Sequence, residues 1–140
     1  MKDFEFFEHT ADAKFKAYGK TLEEAFSNAA RAMYTIITDI SKVKPKKSYL
    51  VEVSAKKKES LLFDFISKLV YLTDTEGFLL SDVQTLKIIP MDSSYSLNAV
   101  LLGDVAGLHE LSTQVKAPTY SDMFIKEEKG LVTLQMVLDI

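Results

Sequence analysis

The chain has no cysteine, only two histidines and only five glycines. Without thiols, disulfides, thiolate metal sites and a cysteine nucleophile are excluded, and an intracellular setting is favoured over a secreted one. The glycines form neither a phosphate-binding loop nor a dinucleotide fingerprint, and no serine or zinc hydrolase motif occurs. The histidines, His9 and His109, are far apart in sequence, so a zinc site has poor support. Self-contained catalytic chemistry is therefore not indicated.

Long apolar runs and an excess of basic charge are also absent. The 140 residues are 47% hydrophobic and 26% charged, with a net charge of -3. No segment resembles a signal peptide or a transmembrane helix, so we expect a cytoplasmic protein that has no membrane partner. The charge is unlike that of a dedicated nucleic-acid binder, so we expect any contact with RNA to be indirect. The length predicts a single domain over residues 1–140.

The hydrophobic periodicity divides the chain into two halves of different character. The first half alternates strands and helices, and a capping box at Thr21 and Glu24 opens the first helix. Its predicted elements are a strand at 13–18, a helix at 22–38, a strand at 49–55 and a helix at 61–72, followed by a loop at 73–77. The second half contains only predicted strands, at 78–89, 94–102, 111–117, 120–127 and 131–138.

Because strands after residue 78 have no helices to cross over with, a parallel α/β fold is disfavoured. The pattern predicts an α+β fold, with two helices packed on one side of a largely antiparallel sheet. That sheet is expected to be two-layered or barrel-like.

Two aspartates at opposite ends of the chain are not explained by packing. Asp12 opens a patterned strand, and Asp139 ends another, next to the C-terminal Ile140. Calcium and magnesium prefer oxygen ligands, so two carboxylates with main-chain carbonyls and water could hold such an ion if the ends meet. Chain termini often lie close together, which favours this arrangement. In the alternative interpretation, Asp12 only caps a turn and Asp139 is a solvated terminal residue.

A second candidate segment runs from Lys116 to Tyr120. Pro118 is expected to interrupt strand pairing there, which would place Lys116 at a bend or an edge. A lysine in that position could contact a phosphate or a carboxylate of a partner. The alternative is a solvated edge lysine that discourages aggregation.

The short motifs of the chain, taken in the order in which they occur, resemble those of the archease family over essentially the whole length. The resemblance rests on short motifs spread from the first strand to the terminus. They are Phe7-Glu8-His9-Thr10-Ala11-Asp12, Gly19, Thr21-Leu22-Glu23-Glu24-Ala25-Phe26, Leu61-Leu62, Gly103-Asp104, His109, Val115-Lys116-Ala117, Thr119-Tyr120 and Leu138-Asp139-Ile140.

The resemblance implies an accessory protein, not an enzyme, that stimulates an RtcB-type RNA ligase in tRNA splicing. Family members promote guanylylation of the ligase and restore its turnover. The family's metal site corresponds to Asp12, Asp139 and the carbonyl of Ile140, with calcium as the ion. His9 and Lys116 are the candidates for contact with a partner. We call Asp12, Asp139 and Ile140 the acidic tip.

Two other functions stay open at this point. One is a chaperone or specificity modulator of an RNA-modifying enzyme, such as a tRNA cytosine methyltransferase, in which the metal only ties the chain ends together. The other is an independent metal-dependent enzyme. That function needs a general base and a substrate pocket, and the sequence indicates neither.

Overall fold

The computed structural model describes residues 2–7, 12–105 and 113–140, which form two α-helices and seven β-strands. A short 3₁₀ turn at Ile40–Lys42 follows the first helix. In chain order the elements are β1 (Phe4–Phe7), β2 (Asp12–Gly19), α1 (Leu22–Ile37), β3 (Lys47–Ala55), α2 (Lys58–Glu76), β4 (Phe78–Pro90), β5 (Tyr95–Val105), β6 (Ala117–Glu128) and β7 (Leu131–Asp139).

The strands form two antiparallel sheets. The first sheet has the order β1-β2-β7-β6, and the second has the order β3-β5-β4. Strands β2 and β7, which lie near opposite ends of the chain, are direct neighbours at the centre of the first sheet. β6 and β7 form a hairpin closed by Gly130, whose positive φ of 76° suits glycine. The fold therefore brings both chain ends into one sheet.

Helix α1 begins where the sequence predicts. The Thr21 hydroxyl accepts a hydrogen bond from the Glu24 N–H at 3.1 Å, as expected for a helix N-cap. Buried side chains occur on most of the helix surface because α1 packs against β2 of the first sheet and β4 of the second. At the centre of this packing the fully buried Tyr34 hydroxyl donates to the Leu69 carbonyl at 3.2 Å, which joins α1 to α2.

Helix α2 is longer than its apolar pattern predicts. It begins at Lys58, where the Lys57 N–H donates a hydrogen bond to the Ser60 hydroxyl, and it continues to Glu76, through four of the five residues predicted as a loop at 73–77. Gly77 ends it in the left-handed conformation, with a φ of 68°. Like α1, this helix packs against both sheets, through β3 and β6. The two sheets therefore share one core that is built around the helices.

The α+β prediction is confirmed. The barrel-like alternative and two details of the strand prediction are corrected. In the described part of the chain the sheets do not close into a barrel, so the barrel-like alternative was wrong. Strand β1 was not predicted. The strand predicted at 111–117 was wrong over its described part, apart from Ala117, which begins β6. Residues 113–116 are not in a strand, and residues 111 and 112 lie outside the described ranges.

Candidate metal centre at the joined chain ends

Three strands of the first sheet end together at one corner. In the register of β2 and β7, Asp12 lies directly opposite Asp139. On the other side of β7, Asp139 lies opposite Ala117, the first residue of β6. The two aspartates singled out in the sequence are therefore cross-strand partners, and the C-terminal strand is held between two neighbours up to its last residue.

Both carboxylates of the acidic tip belong to the same face of the sheet. Side chains alternate between faces along a strand, and directly paired residues share a face. Phe15 on β2 and Leu138 on β7 are fully buried on the face toward the helices. Asp12 and Asp139 are on the opposite face, which we call the outer face. Paired residues of antiparallel strands have Cβ atoms about 4.5–5.5 Å apart, so the two carboxylates can reach one common point.

The main chain beside the acidic tip is also fixed. The Lys116 N–H donates a hydrogen bond to the Asp139 carbonyl at 2.8 Å, which attaches the segment before β6 to the end of β7. Ile140 follows directly and is 36% exposed. Lys116 is thus brought next to Asp139. His9 lies outside the described residues.

The position of Pro118 corrects one step of the sequence interpretation. Pro118 does not interrupt pairing, because it lies within β6 opposite Leu138. β6 is an edge strand of its sheet, where a residue without an N–H is tolerated. The interruption comes later. Thr119 pairs with Val137, and Phe124 pairs with Gln135. Residues 120–123 of β6 therefore lie between these pairs with only one residue of β7, Met136, opposite them, and they leave the ladder.

We call residues 120–123 the β6 excursion, and its two ends are anchored differently. The Tyr120 ring stacks on Phe63 of α2, with ring centroids 4.2 Å apart and an interplanar angle of 5°. Burial against α2, with the nearby Asp64 carboxylate, raises the pKa of Tyr120. Asp122 has a positive φ of 56°, and its carbonyl accepts a hydrogen bond from the Gln135 side chain at 2.7 Å. The excursion thus attaches β6 to both α2 and the outer face.

Lys14 is the polar neighbour of the acidic tip that the sequence did not single out. It follows Asp12 by two residues and shares the outer face, opposite Val137. Its ammonium lies 3.6 Å from the Asp122 carboxylate. In the sequence, Lys14 is only one polar position of an alternating strand. Nothing there indicates Asp122, because its place depends on the left-handed backbone of the β6 excursion.

The donor set of the acidic tip suits a hard cation. Its carboxylate and carbonyl oxygens are the ligands that calcium and magnesium prefer, and two aspartates on neighbouring strands repel each other unless a positive charge lies between them. Within residues 2–7, 12–105 and 113–140, no group of three or more His, Cys, Asp or Glu side chains could hold a metal ion. Two carboxylates supply only part of the six to eight oxygens that calcium takes. The remaining positions would fall to main-chain oxygens, water or a partner.

These features define a small α+β domain whose joined ends carry an oxygen-rich corner. Residues 4–140 match the model of the Archease protein family (MTH1598/TM1083). The chain is 44% identical to protein archease of Aeropyrum pernix over 135 residues, which are 95% of this chain and 94% of that protein. It is 40% identical to protein archease of Methanothermobacter thermautotrophicus, with 100% of both chains covered. The chain therefore belongs to the archease family.

Solved structures agree with this assignment. The solution structure of protein 1598 of Methanobacterium thermoautotrophicum matches with a TM-score of 0.86 and 38% identity, covering 100% of both chains. A crystal structure of an archease from Thermotoga maritima, described as a possible chaperone, matches with a TM-score of 0.62 and 17% identity. It covers 96% of this chain and 94% of that one and supports the fold. Among the described residues, no helix is long and apolar enough to cross a membrane.

Proposed function

We propose that this protein is a non-catalytic accessory factor of an RtcB-type RNA ligase, and that its acidic tip binds a divalent cation, calcium in the first instance. The observation that carries the proposal is the in-register pairing of Asp12 with Asp139 in a chain of the archease family. The partner is expected in the cytoplasm, and RNA is contacted only through it.

The chain's own residues have a limited task in this proposal. Asp12 and Asp139 are held by β2 and β7 at a fixed separation, so the site is preorganised before a partner arrives. A divalent cation supplies charge stabilisation and orientation for a triphosphate. Since the acidic tip provides few ligands, it leaves room for oxygens of the partner or its nucleotide. Lys116, attached to the same corner, is positioned to contact an acidic group of that partner.

The test is the rate of ligase guanylylation with and without this protein, at several concentrations of calcium and of magnesium. The full chain is expected to raise the rate, and Asp12→Asn or Asp139→Asn to remove most of the stimulation. Asp92→Asn, in the turn between β4 and β5, makes the same charge change away from the acidic tip and is expected to stimulate normally. Unaltered stimulation by both tip variants, or no stimulation by the full chain at any metal concentration, would contradict the proposal.

One group of side chains favours the alternative function, a chaperone or specificity modulator of an RNA-modifying enzyme such as a tRNA methyltransferase. Phe7 and Phe124 on the outer face are both partly exposed, and the Lys16 ammonium lies 5.2 and 6.0 Å from the centroids of their rings. Exposed rings can bind another protein. Recovery of a methyltransferase without any ligase in a pull-down from cells would favour this alternative.

A further inference from the structure

The second sheet, β3-β5-β4, has one face that points away from the core. Along β3 and β5, Val51 and Leu101 are fully buried in the core, and the side chains between such positions point to the other side. Two neighbouring rows of cross-strand partners form the centre of that other side. They are Leu50, Val100 and Thr85 in one row and Glu52, Asn98 and Lys87 in the next, and we call these six residues the open face. All six are at least partly exposed.

Large apolar side chains lie on and beside the open face. Leu50 is 64% exposed and lies next to Val100 of the central strand. Ile89, which follows Lys87 by two residues on β4 and points to the same side, is 45% exposed. Apolar side chains that are grouped on the surface favour contact with another protein surface.

Glu52 and Lys87 place opposite charges on opposite sides of the open face. Both are paired with Asn98 of the central β5, Glu52 from β3 and Lys87 from β4. Two strand spacings, roughly 10 Å, separate them, so they form no ion pair within one chain. Neither forms a salt bridge with any other residue that the structure describes. Both charges are therefore available to a second molecule.

We infer that the open face binds a second copy of this chain, about a two-fold axis that runs along β5. Rotation about this axis lays β3 of each copy over β4 of the other. It places Glu52 against Lys87 of the other copy at two equivalent points, as an isologous interface requires. Leu50 packs against the Thr85 methyl group of the other copy. Asn98 meets its own symmetry mate on the axis, where one amide donates a hydrogen bond and the other accepts it.

The charges also exclude the other simple arrangement of two stacked sheets. A two-fold axis across the strands would lay β3 over β3 and β4 over β4. Glu52 would then face either Glu52 or Leu50 of the other copy, so that like charges meet or a charge is buried against an apolar side chain. The positions of Glu52 and Lys87 therefore select the axis along β5.

The size of the sheet sets the expected strength of the dimer. β3 has nine residues, and three strands of this length cover roughly 30 by 14 Å, or about 400 Å² in projection. An interface of standard size buries about 800 Å² per partner. We therefore expect a weak dimer that dissociates on dilution, with a dissociation constant of about 10–100 μM.

Sedimentation equilibrium of the full chain tests the inference without a ligase. A chelator is present, because a divalent cation could otherwise join the acidic tips of two copies. The apparent mass is expected to rise from that of one chain toward that of two between about 1 μM and about 1 mM protein. A chain that stays monomeric over this range would overturn the inference and leave the open face to a different protein.

Charge exchange between Glu52 and Lys87 tests the axis. Glu52→Lys and Lys87→Glu are each expected to weaken association at least about tenfold, because like charges then meet at both points. An equimolar mixture of the two variants is expected to associate about as strongly as the unmodified chain, since the two substitutions together restore opposite charges at both points. A mixture that associates no better than either variant alone would overturn the inference.

Glu128→Lys and Lys126→Glu are the matched controls. They make the same charge changes on β6 of the first sheet, where the side chains of Glu128 and Lys126 are 56% and 65% exposed. Each control is expected to associate like the unmodified chain. Weakening by the controls as large as that by Glu52→Lys and Lys87→Glu would mean that net charge, not the open face, governs association, and would overturn the inference.

Discussion

Asp12 and Asp139 are paired directly across β2 and β7, although 126 positions separate them in the sequence. Like charges placed directly opposite each other destabilise a sheet. Two carboxylates in this position repel each other to the extent that neighbouring groups or a bound cation do not offset their charge. The stability of the protein should therefore report on what occupies this corner.

The Asp139→Asn variant is expected to be as stable as the unmodified chain, or slightly more stable, without calcium, and less stable than the unmodified chain when calcium is present. With a chelator present, the variant should melt at the same temperature as the unmodified chain or a little higher, since up to about 1 kcal/mol of repulsion is removed. At calcium concentrations ten times the dissociation constant, the unmodified chain gains about 1.4 kcal/mol and the variant much less. Thermal melts under both conditions measure this, with Asp92→Asn as control. A variant stabilised by calcium as much as the unmodified chain would contradict the prediction.

Arg31→Lys is expected to destabilise the fold by about 1 kcal/mol. Nε and Nη2 of Arg31 donate to one Asp82 oxygen at 2.9 and 2.7 Å, and Nη1 donates to the Asn28 amide oxygen at 2.6 Å. The Asn28 amide in turn donates to the Tyr18 carbonyl at 2.7 Å, so Arg31 and Asn28 together link α1 to β4 and β2. A lysine ammonium cannot reproduce this planar set of donors.

Urea unfolding measures the loss for Arg31→Lys. Lys42→Gln, which removes an exposed lysine 3.9 Å from Asp39, is the comparison and should change stability by less than about 0.5 kcal/mol. Equal losses in the two variants would mean that the Arg31 contacts add nothing beyond an ordinary surface pair.

The elements that sequence reasoning placed correctly are those whose signals are local. Thr21 and Glu24 mark the start of α1 by a contact within one turn, and the alternation at 13–18 follows β2 closely. The end of α2 was misplaced because polar residues 73–76 look like a loop. They stay helical since Gly77 supplies the left-handed cap one residue later, and its N–H donates to the Thr73 carbonyl at 3.0 Å.

For the candidate site, the two aspartates could be identified from sequence, but their neighbours could not. Asp12 and Asp139 are carboxylates at strand ends, which is a visible anomaly. Lys14 and Asp122 become neighbours only because the β6 excursion bends across β7, and that bend depends on a positive φ at a non-glycine residue. The hydrophobic periodicity of the sequence does not predict such a conformation, because it depends on the contact with Gln135 on another strand.

Gly103→Ala is expected to cost at least about 2 kcal/mol, although Gly103 lies in an ordinary strand. A Cβ at this position would be 1.9 Å from the Leu79 carbonyl oxygen and 2.7 Å from the Phe78 ring. The main chain of the paired strand would have to shift. Gly130→Ala is the comparison, because a Cβ there meets nothing within 4 Å and only the positive φ of 76° opposes it, at about 1 kcal/mol. Urea midpoints of the two variants should rank in that order, and the reverse ranking would contradict the close approach of β4 and β5.

The pair formed by Tyr18 and Glu5 should make stability fall steeply at alkaline pH. Burial and the 2.5 Å hydrogen bond that Tyr18 donates to Glu5 raise the pKa of Tyr18 to about 12, above the ordinary value of 10.0. A group whose pKa is raised in the folded state stabilises the fold at pH values below its unfolded pKa. That contribution declines as the pH rises from about 10 to about 12. The Tyr18→Phe variant lacks this pH-dependent contribution to stability, while every other tyrosine is present in both proteins. Urea unfolding at pH 9, 10.5 and 12 should therefore show the unmodified chain losing more stability than the variant. Parallel curves would mean that the Tyr18 hydroxyl contributes no pH-dependent stability.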